Sequence, residues 1–167
     1  MTEPWQRELR DFLLTAVYAV FLGPIAGLVW WQLAPKQTKH TMTVLLHGSA
    51  APFHVAVDAD AWFLLVAAIA GLVTAGVVLL LRWFGPGAVA GLAVGGAAAA
   101  VVADRVGYLA ERGHTIAAMQ TAGVAPAAAD LLDFKVRALG VIAAWPMVAV
   151  IVYTVALAMR DRYRSLP

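Results

Sequence analysis

The 167 residues include 62% hydrophobic and only 13% charged side chains, with a mean hydropathy of +0.80, a balance that excludes an ordinary water-soluble domain and points to the lipid phase. The absence of cysteine excludes disulfides, thiolate metal sites and thiol catalysis. With a formal net charge of +2 and no basic stripe interleaved with aromatic residues, the chain offers no nucleic-acid surface.

The first uncharged stretch, residues 12–33, is long enough to cross a hydrocarbon core of ~30 Å, which takes about 20 helical residues. It is too long for the apolar region of a signal peptide and lacks an A-x-A cleavage site, so it is expected to stay attached. Trp5 precedes it and Trp30 and Trp31 end it, as interfacial anchors do. Pro24 sits inside the span and removes a helix hydrogen bond, which predicts a kink. Thr15, Ala19, Gly23 and Gly27 recur at every fourth position and form a flat face for a neighbouring helix.

Residues 35–60 form a long loop. Within it, residues 43–47 and 53–57 are apolar and β-branched, separated by a Gly-Ser-Ala-Ala-Pro segment, and predict a small extracytoplasmic β-hairpin. His40, His47, His54 and the later His114 lie in the loops on this side, with Asp58 and Asp60 nearby. These are metal-ligand residue types, but their spacing matches no metal motif, and no metal or other cofactor is expected.

The second span covers about residues 61–82, with Ala67, Gly71 and Ala75 as its small face. Trp62 falls on the same membrane side as Trp30 and Trp31, and Trp83 falls with Trp5 on the other. The link from Arg82 through Trp83 and Phe84 to Gly85-Pro86-Gly87 makes a tight turn with little room for a site.

The third span, about residues 86–109, opens with Pro86, a favoured first-turn residue. It carries the strongest pattern in the chain, a small residue at every fourth position: Gly87, Gly91, Gly95, Ala99, Ala103 and Gly107. In lipid no hydrophobic effect joins helices, so close backbone approach over small residues marks the packing or partner face. The end of this span holds the ionisable cluster Asp104, Arg105, Tyr108 and Glu111, in which Asp104, Tyr108 and Glu111 share a face by i, i+4, i+7 spacing. Asp104 lies about 27 Å along the helix from Pro86, close to the far interface, where a structural ion pair with Arg105 is expected and a proton- or ion-handling site is the alternative.

A second long loop is expected over residues 111–137, with 126–137 extending the last span as a helix that pairs Asp133 with Arg137. The fourth span, residues 138–159, contains Pro146 and ends in Arg160, Arg162 and Arg164, a tail suited to anionic headgroups. Lys and Arg divide evenly between the two sides. With Arg105 discounted, the bias places both termini in the cytoplasm.

These elements predict a single all-α membrane domain over residues 1–167, a four-transmembrane-helix bundle with an outer β-hairpin. Gly23-Pro24 to Trp31 with Ala34-Pro35, the run Asp58 to Phe63, and Trp145-Pro146 together resemble an actinobacterial four-span membrane-protein family of unknown function. The resemblance implies a high-G+C Gram-positive source, four spans and an outer hairpin, and it brings no catalytic residues.

No nucleophile or acid–base motif is present, so the chain is not expected to be an enzyme. The expected function is a non-catalytic accessory or scaffolding subunit of a larger cytoplasmic-membrane complex of the envelope-biogenesis or respiratory type. Its partners would be the lipid bilayer and other membrane subunits, with homo-oligomerisation through the third-span stripe a further option. One alternative is a small proton- or ion-coupled transporter or channel subunit built on Asp104, Arg105, Tyr108 and Glu111. A second is an interfacial enzyme acting on lipid-linked substrates through Asp58, Asp60 or Glu111.

Overall fold

The computed structural model describes residues 4–35, 53–121, 123, 136 and 139–164. Among the described residues the helices are, in chain order, α1 (Pro4–Leu33), α2 (Phe53–Leu80), α3 (Pro86–Thr121), α4 (Leu139–Ile142) and α5 (Ala144–Arg164). Four segments among the described residues are long and apolar enough to cross a membrane: Pro4–Leu33, Val57–Leu80, Pro86–Thr121 and Gly140–Arg160. Only helices or closed barrels satisfy every backbone polar group inside hydrocarbon, and this chain takes the helical solution.

Two sequence expectations are corrected here. Residues 53–57, expected as the second arm of a β-hairpin, form the first turns of α2. The segment follows Pro52 and runs into Asp58 to Leu80 without an internal Pro. Each added helical residue therefore gains a backbone bond locally, whereas a lone hairpin on the surface is marginal. The other arm, residues 43–47, lies outside the described residues, and among the described residues no strand forms.

The second correction concerns α3, which continues past the expected end at Leu109 to Thr121 and takes up the start of the supposed loop. Buried positions along it run Gly91, Gly95, Ala99, Ala103, Gly107, Glu111, Thr115 and Met119, one unbroken every-fourth series. The face persists while its residue types change from small to polar and large, so a search for small residues stops too early. Its 36 residues extend about 54 Å at 1.5 Å per residue. With Pro86 at one boundary of a ~30 Å hydrocarbon core, the turns carrying Glu111, Thr115 and Met119 stand beyond the other.

The turn after α2 is a Schellman motif, in which Trp83 N–H donates to Val78 O (3.2 Å) and Arg82 N–H to Leu79 O (3.1 Å). Arg82 occupies the left-handed position at φ 57°, where glycine is the usual residue. The last span is interrupted at Ala143, three residues before Pro146, and this break separates α4 from α5. Pro24, by contrast, lies within a continuous α1. The helical extension expected over residues 126–137, with its Asp133–Arg137 pair, lies outside the described residues apart from Val136, which is not helical.

The spans pack as two parallel pairs. Along α1 and α3 the neighbours advance together: Glu8 with Gly87, Thr15 with Gly91, Ala16 with Gly95, Gly23 with Ala99, Gly27 with Ala103 and Trp30 with Gly107. A Cβ placed on Gly95 would stand 2.6 Å from Ala16 Cα, and one on Gly23 would stand 2.8 Å from Ala99 O, so the backbones meet closely. Helix α2 lies beside α5 in the same manner, with Gly71 against Trp145 O and Ala149 N. The pairs join where Gly96 of α3 abuts Pro146 of α5 and where Trp30 meets Phe63 edge-on at 5.0 Å.

Candidate functional site

Polar side chains gather at the two ends of this bundle. At the end nearer Pro4, the Glu8 carboxylate accepts the backbone N–H of Gly87 at 2.7 Å. Gly87 lies in the first turn of α3, where unsatisfied N–H groups and the positive end of the helix dipole favour a carboxylate. Arg10 donates through Nε and an η-nitrogen to the buried Asp11 carboxylate at 3.3 and 3.2 Å while remaining 63% exposed itself. The Tyr153 hydroxyl donates to Trp83 O at 2.9 Å, and the Arg160 guanidinium lies 4.1 Å over the Phe84 ring. The turn between α2 and α3 is thereby tied to both α1 and α5.

At the opposite end the indoles of α1 do the tying. Trp30 Nε1 donates to Ala59 O at 2.9 Å, and Trp31 Nε1 donates to Glu111 Oε2 at 2.8 Å. Trp30 is completely buried, so it serves as a wedge between α1, α2 and α3 rather than as the expected interfacial anchor. Trp5 and Trp62 remain partly exposed, as interfacial residues are. The His114 ring lies 6.3 Å from that of Trp31. In mid-bundle, Trp145 Nε1 donates to Thr74 Oγ1 at 3.3 Å, and Thr74 donates to Ala70 O at 2.6 Å.

The expected ionisable cluster does not converge. Glu111 is fully buried against Trp31, whereas Asp104 is half-buried and accepts the backbone N–H of Val136 at 2.9 Å. Arg105 is exposed and Tyr108 is half-buried. The Asp104–Arg105 ion pair is therefore corrected. Adjacent residues point about 100° apart around a helix of 3.6 residues per turn, and the carboxylate is taken by a backbone donor arriving from the chain before α4. Asp104 and Glu111 thus fasten different segments instead of lining one path.

The small-residue faces are occupied within the chain, with Gly87, Gly91, Gly95, Ala99, Ala103 and Gly107 against α1, Gly23 and Gly27 against α3, and Gly71 against α5. Sequence reasoning missed the second small face of α3, where Gly96 approaches within 3.0 Å of Pro146 Cα for a built Cβ; the Gly95-Gly96 doublet was its signal. It also missed Glu8, whose only cue was a carboxylate at the membrane end where α3 begins.

His40 and His47, and the side chain of His54, lie outside the described residues. Among the described residues no three His, Cys, Asp or Glu side chains come together to hold a metal ion. A groove of about 630 Å³ lies on the outer side of the α1–α3 seam, lined only by apolar residues. No protein-family model, curated protein or solved structure matches this chain. Four apolar helices of spanning length define the class as a multi-pass helical membrane protein.

Proposed function

We propose that this chain is a non-catalytic accessory or scaffolding subunit of a larger assembly in the cytoplasmic membrane, with both termini in the cytoplasm. What supports the reading is the use made of the polar groups. Glu8, Trp30, Trp31, Asp104, Glu111, Trp145 and Tyr153 all bind backbone or side-chain groups of neighbouring segments, and they fasten one segment to another instead of facing a common cavity. An enzyme or a carrier would gather such groups around a substrate.

Because the small-residue faces are occupied internally, the docking surface assigned to this subunit is the membrane-exterior end formed by the last turns of α3 and the ends of α1 and α2. The partner would be a subunit of an envelope-biogenesis or respiratory complex. In-cell crosslinking followed by affinity purification in a mild detergent and mass spectrometry tests this directly. Recovery of a defined partner in constant ratio is expected. Recovery of the chain alone, as a monomer or homo-oligomer, overturns the reading and favours the carrier alternative. Its motive is one observation, the fully buried carboxyl of Glu111 on α3.

A further inference from the structure

The seam between α1 and α3 closes tightly because glycine and alanine meet along it, yet beside that contact the surface is hollow. Phe12, Phe21 and Pro24 from α1 and Ala98 and Val102 from α3 wall a groove of about 630 Å³ with no polar surface, and Ala16 lies on its floor beside Gly95. From Phe12 to Pro24 it follows α1 for about 18 Å at 1.5 Å per residue, roughly half the height of the spans. It opens sideways into what would be bilayer hydrocarbon, so neither water nor a polar ligand can be its occupant. A void there forfeits dispersion contacts, and hydrocarbon chain is the material at hand to restore them.

The charge at the mouth of the groove narrows the occupant further. Phe12 lies at the end of the groove nearest the N-terminal interface, and Arg10 precedes Val17, another wall residue, by seven positions, which places it on the same helix face. Arg10 is 63% exposed and Arg7 is exposed one turn further out. Among the described residues the acidic groups nearby are engaged: Glu8 accepts Gly87 N–H, and Asp11 is buried beneath Arg10. Exposed charge at the mouth is therefore predominantly positive, and guanidinium groups suit a phosphodiester.

We propose that this groove is a binding site for one anionic glycerophospholipid of the surrounding leaflet, with an acyl chain lying between Phe21 and Val102 and the phosphate held at the interface by Arg7 and Arg10. Chain burial supplies retention and the two arginines supply headgroup preference, so the two contributions are separable by mutation.

The test is native mass spectrometry of the purified full-length chain, offered phosphatidylglycerol or phosphatidylcholine with identical acyl chains. The chain is expected to retain one phosphatidylglycerol with about tenfold preference, a difference of about 1.4 kcal/mol. Ala98→Phe fills the groove from an exposed position and is expected to reduce retention of both lipids. The double variant Arg7→Gln/Arg10→Gln is expected to retain both lipids equally. Val155→Phe, a comparable enlargement at an exposed position on α5, serves as the folding control and is expected to bind as the parent does. Equal retention of the two lipids by the parent, undiminished retention by Ala98→Phe, or a second copy of the chain in place of lipid would each overturn the proposal.

Discussion

The Glu8 carboxylate on α1 accepts the backbone N–H of Gly87 on α3 at 2.7 Å, so one membrane helix caps the start of another 79 residues later. The contact sets the register of the parallel α1–α3 seam at its first step, and every later small-residue contact follows from it at intervals of about one turn.

Replacing Glu8 with Ala is expected to cost about 1 kcal/mol, the usual value of a helix N-terminal cap, because the first turn of α3 loses its acceptor. Glu8→Gln keeps a carbonyl acceptor and is expected to lose less. Thermal unfolding in detergent measures both, and an Ala variant as stable as the parent would show that the bond contributes nothing net.

The seam itself separates two kinds of glycine. Gly95→Ala places a methyl 2.6 Å from Ala16 Cα, a backbone neighbour that cannot swing away, and is expected to destabilise by about 1–3 kcal/mol through overpacking. Gly113→Ala meets nothing within 4 Å and is expected to stabilise α3 by about 0.5–1 kcal/mol through helix propensity. Opposite signs in denaturant titration check the pair, and equal effects would refute the close approach of α1 and α3.

Arg82 holds the left-handed position of the Schellman turn at φ 57°, which costs an L-residue with a Cβ about 1 kcal/mol relative to glycine. Arg82→Gly is expected to raise stability by that amount while leaving the fold unchanged. A fall in stability would mean that the arginine side chain makes a larger interfacial contribution than the strain it imposes.

The bond from Trp31 to Glu111 lends itself to a double-mutant cycle. Trp31→Phe and Glu111→Leu, alone and combined, are expected to show a coupling of about 1 kcal/mol, the net worth of a hydrogen bond. Strict additivity would show that the two residues act independently. Reconstituted into proteoliposomes with an imposed proton gradient, parent and Glu111→Gln protein are expected to give the same flux. Loss of flux in the variant alone would assign Glu111 a transport role.

The four spans were legible in the sequence because hydrocarbon tests each stretch on two local properties, length and apolarity, and both can be read without knowing what lies alongside. The glycine stripe of α3 was legible for a related reason, since close helix approach demands small residues at a fixed period. The extent of that face was not, because beyond Gly107 the buried positions Glu111, Thr115 and Met119 keep the period but change character.

Only the tertiary structure decided which faces meet. Nothing local distinguishes a stripe that joins α1 from one that joins another chain, and nothing in the spacing of Asp104 and Glu111 reveals that one takes Val136 and the other Trp31. The helical start of α2 belongs with these. An alternating apolar segment suits strand or helix equally, and the outcome is set by the chain it continues into and by the burial of Ala59 and Phe63 on α2 beside Trp30. Membrane insertion is a property each segment carries alone. Pairing is a property of two surfaces brought together by the rest of the chain, and for that reason the sequence determined the spans while the assembled bundle determined the contacts.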